Sequence, residues 1–112
     1  MREVDPQTLK GWLDRGEAIL VDVREEDEYA RERIAGAKLL PLSRLDRSAV
    51  PHEPGKALVL QCNSGRRSAD AAARIALPED TRLYHLAGGI QAWKRAGLPV
   101  EGCTSERPAA AA

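Results

Sequence analysis

Two short runs constrain this chain more than any other feature: Ala18-Ile-Leu-Val-Asp22 and Ala57-Leu-Val-Leu-Gln61. Each is apolar for four residues and then ends on a polar one. A strand with one wet face alternates apolar and polar residues, whereas an unbroken run suits a strand covered on both faces. Helix-like stretches follow both runs, so each strand has its covering element close by in the chain. This β-then-α alternation predicts an α/β domain: a mostly parallel sheet flanked by helices on both faces.

Punctuation residues fill in the remaining elements. Glu3-Val4 reads as a short first strand. Asp5-Pro6 reads as an N-cap followed by proline at the first helical position, opening a helix to about residue 15. That helix buries Leu9, Trp12 and Leu13, and Gly16 stops it. Residues 25–32 are helix-like and heavily charged, with Tyr29 anchoring the inner face. A further short strand lies within residues 34–40 after Gly36, and residues 43–46 resemble a capped turn. Residues 47–56 read as a loop. The alanine-rich stretch 68–76 predicts a helix, 82–86 a strand, and 90–95 a helix ended by Gly97 and Pro99. Residues 1–100 therefore form one domain, and residues 101–112 read as an unanchored, disordered tail.

Composition excludes several function classes. Seventeen basic and seventeen acidic residues cancel, which argues against a nucleic-acid partner held by a basic surface. No apolar run approaches the ~20 residues of a membrane span, and the N-terminus lacks a secretory signal, so the expected location is the cytoplasm. The two cysteines, at 62 and 103, form no CxxC unit, and the two histidines make no metal cluster. Thiols in a reducing compartment stay free unless chemistry oxidises them.

Cys62 stands at the carboxyl end of the second buried run, directly before a helix. Ligands of parallel α/β sheets bind at this edge. The loop Cys62, Asn63, Ser64, Gly65, Arg66, Arg67 can turn successive amides inward as an anion nest, with Ser68 opening the helix whose positive end faces the same point. Gly65 permits the tight turn. With two arginines beside it, Cys62 is predicted to favour thiolate over thiol. An inert core cysteine would sit within the strand rather than at its exit.

The motif Cys62-x-x-Gly65-x-Arg67-Ser68 resembles the active-site loop of single-domain rhodaneses. Three other segments agree in order: "LVDVREEDEY" (20–29) with D-x-R-x-x-x-E-[YF], "RIAGAKLLPLSRL" (33–45) with I-x-G-A-x-x-[IL]-P, and "LAGGIQAWKRAGLPV" (86–100) with the closing G-G-x-x-x-W…G-[LY]-P. The resemblance implies a five-stranded sheet and sulfur transfer. Cys62 would take the outer sulfur of a donor such as thiosulfate, forming a persulfide with no other cofactor and no metal. It would pass the sulfur to cyanide or a thiol. Arg66 would hold the sulfonate end of the donor. A rival reading is a rhodanese-like module that carries persulfide or docks on a partner with little turnover. Cysteine phosphatases and arsenate reductases space their arginine as C-x5-R; here Arg67 stands at C-x4-R, a tighter cradle suited to sulfur. One departure is Glu32-Arg33 where the family often has Gly-His.

Asp22 and Arg24 are expected as a supporting ion pair that braces the loop. Arg67 either lines the pocket or pairs with an acid such as Asp22. Trp93 reads as core, and His52 and His85 as ordinary polar residues. Cys103 reads as an idle tail cysteine, with a sulfur relay to Cys62 as the sharper alternative. The stretch "EYARERIAGAKLLPLSRL" resembles a subgroup whose rhodanese domain precedes two membrane helices. The sequence therefore fits either a whole soluble protein or a domain cut from a membrane-anchored parent.

Overall fold

The computed structural model describes residues 2–44, 53, 55–74 and 82–102. Among these residues, five strands alternate with four helices: β1 (Arg2–Val4), α1 (Pro6–Asp14), β2 (Ala18–Asp22), α2 (Glu26–Arg31), β3 (Lys38–Leu39), a 3₁₀ turn (Leu42–Arg44), β4 (Ala57–Gln61), α3 (Arg66–Arg74), β5 (Leu83–Leu86) and α4 (Gly89–Arg95). These strands pair in parallel, in the order β1-β5-β4-β2-β3. The unbroken apolar runs are β2 and β4, neighbours at the centre of the sheet, and β4 is buried along its whole length.

Strand alternation divides the core between the two faces. Ala57 and Val59 of β4 join Val4, Leu20 and Leu86 beneath Leu9, Ile90 and Trp93. Leu58, Leu60 and Cys62 turn to the other face, with Val21 and Val23 beneath Ala71 and Ala72 of α3. Burying a leucine or valine this completely stabilises the fold by about 1.5–3 kcal/mol. Trp93 is core, as expected, and its indole N–H donates to the Pro99 carbonyl at 2.8 Å. Tyr29 packs against the first cluster and donates to the Ala37 carbonyl at 2.6 Å. The N-cap at Asp5 is present, its carboxylate accepting from Thr8 N–H at 2.7 Å.

The short strand expected after Gly36 is β3, two residues long, and Ile34 to Ala37 before it form a turn closed by Ala37 N–H on the Ile34 carbonyl. Two expectations need correcting. Helix α3 starts at Arg66 rather than Ser68, because the Gly65 carbonyl already accepts from Ala69 N–H and closes the first turn. Glu101, assigned to an unanchored tail, exchanges both backbone hydrogen bonds with Arg33 at 2.7 and 2.8 Å. The turn at residues 43–46 is seen only through Arg44, and its Ser43 hydroxyl donates to Glu25 at 2.8 Å. Residues 45–50, His52 and residues 103–112, with Cys103, lie outside the described residues. Among the described residues, no helix is long and apolar enough to cross a membrane.

Candidate active site

Asp22 and Gln61 are partners in register, so β2 and β4 end at one level, and Cys62 emerges at that carboxyl edge. The residue is fully buried. Its sulfur accepts from the Gly65 N–H at 3.0 Å and lies 3.7 Å from the Ser68 hydroxyl oxygen. Gly65 has φ of 99°, and a side chain there would press on the Gly88 nitrogen at 3.2 Å. Only glycine makes this turn without strain.

The N-terminus of α4 sets the orientation of the loop. Ile90 and Gln91 N–H donate to the carbonyls of Cys62 and Asn63 at 2.8 and 3.1 Å. The Gln91 side chain also donates to Asn63 Oδ1 at 2.9 Å, and Gln61 Nε2 donates to the Cys62 carbonyl at 3.1 Å. With its carbonyls held on α4, the loop is free to turn its amides toward the sulfur. The approach is close enough that a Cβ on Gly89 would overlap the Cys62 carbonyl oxygen. The Gly88-Gly89 pair therefore lets α4 approach the Cys62 loop rather than simply interrupting the chain between strand and helix.

On the opposite side of Cys62, α3 begins. Amides in the first turn of a helix have no acceptor within it, which leaves those of Arg66, Arg67 and Ser68 available for an anion. Ser64 and Arg66 are exposed, and Arg66 has no partner among the described residues. Arg67 pairs with an acid, as one of the two expectations had it, but the acid is Glu28 of α2 rather than Asp22: its guanidinium forks onto that carboxylate at 2.8 and 2.9 Å. That fork, first among several causes, pulls the Glu28 carboxyl from 4.5 down to about 2. Glu28 also accepts from Glu25 N–H as part of a capping box, so it ties the start of α2 to the start of α3.

Asp22 is unavailable to Arg67 because Arg24 occupies it. Arg24 Nη2 lies 2.7 Å from Asp22 Oδ2, with both residues buried, and the same nitrogen donates to the Glu32 carbonyl at 2.6 Å. These contacts make the pair a strut between β2 and the end of α2. Neither side chain has a hydrogen bond to the Cys62 loop among the described residues.

One residue that the sequence presents as an ordinary polar side chain stands behind Ser68. His85 of β5 is buried, with Nδ1 3.3 Å from the Ser68 hydroxyl and Nε2 3.4 Å from Glu3 Oε2 of β1. The available signal was strand parity: His85 alternates with Leu86 and so faces α3, beside Leu60 of β4. Reading that signal requires knowing that β5 lies next to β4, which the sequence does not state.

With this geometry in view, likeness to known proteins is informative. A sulfurtransferase from Allochromatium vinosum is 35% identical over 103 residues, covering 89% of this chain and 94% of its own. An uncharacterized protein of Synechocystis sp. is 44% identical over 96 residues, covering 86% of this chain, and the chain spans only 54% of that relative's length. A solved rhodanese-related protein from Thermoplasma volcanium superposes with a TM-score of 0.74 at 27% identity, covering 90% of this chain and 98% of that one. The Rhodanese-like domain family matches residues 5–96. The chain belongs to the rhodanese-like family.

Proposed function

We propose that this protein is a sulfurtransferase that moves a sulfane sulfur from thiosulfate, or a donor like it, to a thiol or cyanide through a persulfide on Cys62. The observation that carries this reading is the contact of Cys62 Sγ with the Gly65 amide at 3.0 Å, inside a loop whose carbonyls are bound on α4. Preorganised amides stabilise negative charge on the sulfur without reorganising during the reaction.

In the first step the Cys62 thiolate attacks the outer sulfur of thiosulfate. The sulfur–sulfur bond of the donor breaks, and sulfite leaves with its electron pair. Exposed Arg66 offers its guanidinium to the departing sulfonate. In the second step the acceptor's nucleophile attacks the terminal persulfide sulfur and Cys62 leaves as thiolate. No net redox equivalent is needed, and the two half-reactions give ping-pong kinetics. The C-x4-R spacing and Arg67's engagement with Glu28 favour a small sulfur-bearing anion over a phosphate. The cytoplasm is the setting we assign, because a nucleophilic thiol works where thiols stay reduced.

Intact-mass measurement after exposure to thiosulfate tests the reading. Wild type should gain one sulfur atom and return to its original mass on adding cyanide, while Cys62→Ser should gain nothing. No adduct on wild type rules out thiosulfate as donor. An adduct that cyanide and small thiols cannot discharge points instead to a persulfide carrier for a docked partner.

A further inference from the structure

The Cys62 sulfur ends a line of four groups that runs across the sheet to solvent. Sγ lies 3.7 Å from Ser68 Oγ, Oγ lies 3.3 Å from His85 Nδ1, and Nε2 lies 3.4 Å from Glu3 Oε2. The first three residues are buried, whereas the Glu3 side chain is 68% exposed. Glu3 and His85 are partners in register between β1 and β5, so the sheet itself sets that spacing. A carboxylate facing Nε2 favours the tautomer with its proton there, leaving Nδ1 as an acceptor for Ser68.

We propose that His85 is a positioning residue for sulfur transfer: it takes up the Cys62 thiol proton through Ser68 and holds the resulting thiolate as a buried ion pair, with Glu3 steadying the imidazolium. The proposal rests on the reading of Cys62 as the nucleophile. On ionisation the Sγ proton passes to Ser68 Oγ while the Ser68 proton passes to His85 Nδ1. One proton moves and no electrons do; the products are thiolate, neutral hydroxyl and imidazolium. The Ser68 O–H, which otherwise donates to the Gly65 carbonyl at 3.2 Å, can then donate to the sulfur. An uncompensated charge buried at this depth would be costly, and a cation one hydroxyl away offsets it. Among the described residues, His85 meets Glu3 from β1 and Ser68 from α3, and it reaches Cys62 at the end of β4 through Ser68. Leu60 beside it is apolar, Arg66 is exposed, and Arg67 is committed to Glu28.

The test is the pH profile of Cys62 alkylation by iodoacetamide, which needs no sulfur donor. In His85→Gln and His85→Asn the rate near neutral pH should fall about tenfold. The gap should close toward alkaline pH, where hydroxide in the solvent takes the thiol proton directly. Asparagine keeps an acceptor for Ser68 but cannot take a proton, so a wild-type rate in His85→Asn overturns the proposal, as does a deficit that stays constant with pH. Glu3→Gln decides the matter if the histidine variants do not fold: a two- to threefold loss at neutral pH with the same convergence is expected, about the weight of one partly exposed carboxylate, and an unchanged profile overturns the idea. A missing persulfide adduct beside the expected alkylation profiles would remove the proposed reaction and leave the proton path standing.

Discussion

The pair Arg67–Glu28 ties the start of α3 to α2, and Glu28→Gln isolates its worth. Glutamine keeps an oxygen for the Glu25 N–H and so preserves the cap of α2, while removing the charge that the Arg67 fork grips. Proton linkage bounds the magnitude. A carboxyl lowered from 4.5 to about 2 gains at most ~3 kcal/mol from its native surroundings. Arg67 is 35% exposed and Glu28 24%, so water screens the pair, and about 1–2 kcal/mol is the expected loss at neutral pH. The sign follows from the lowered folded value: the stabilisation is complete above the unfolded carboxyl's titration and disappears as pH falls toward 2. Urea unfolding of wild type and Glu28→Gln at pH 7, 5 and 3 should therefore show a gap that is full at 7 and shrinks progressively below about pH 5. A double-mutant cycle with Arg67→Gln should recover most of the loss as coupling. A gap equal at all three pH values, or a coupling below about 0.3 kcal/mol, would refute the assignment of Arg67 to Glu28.

Gly89→Ala should be far more damaging than an ordinary helix-end substitution. Its φ is +61°, and the added Cβ would overlap the Cys62 carbonyl oxygen and lie 2.6 Å from Asn63 backbone atoms. We expect a loss of about 3 kcal/mol or more in urea midpoint analysis, together with loss of the persulfide adduct in the folded fraction; wild-type behaviour in both would contradict the role given to α4. Asp22→Ala should cost about 3–5 kcal/mol, because Arg24 would remain buried with only the Glu32 carbonyl for a partner. A loss under about 1 kcal/mol by thermal or urea unfolding would show that water reaches Arg24.

Much of the fold is legible because burial writes a periodic record. The runs 18–22 and 57–61 coincide with β2 and β4 residue for residue, since an unbroken apolar run fits only a doubly covered strand. Asp5-Pro6 marked the start of α1 because an N-cap and a proline act through bonds within one helical turn. Composition places the start of α3 less well: the alanine-rich stretch begins at Ser68, whereas Ser68 is buried inside the first turn and Gly65 closes that turn ahead of it.

By itself, the sequence determined the α/β class, the central strands, the cysteine at a strand exit and the loop around it, because these depend on residues that are neighbours along the chain. Tertiary structure alone decided which charges meet and which buried group stands behind the sulfur. Arg67 pairs with Glu28 of α2, while Asp22 of β2 is held by Arg24. His85 looked like an ordinary polar residue until β5 was seen to pair with both β1 and β4, bringing Glu3, Ser68 and Cys62 together from across the chain. Periodicity encodes whether a side chain is buried; strand order and the packing between helices select its neighbours.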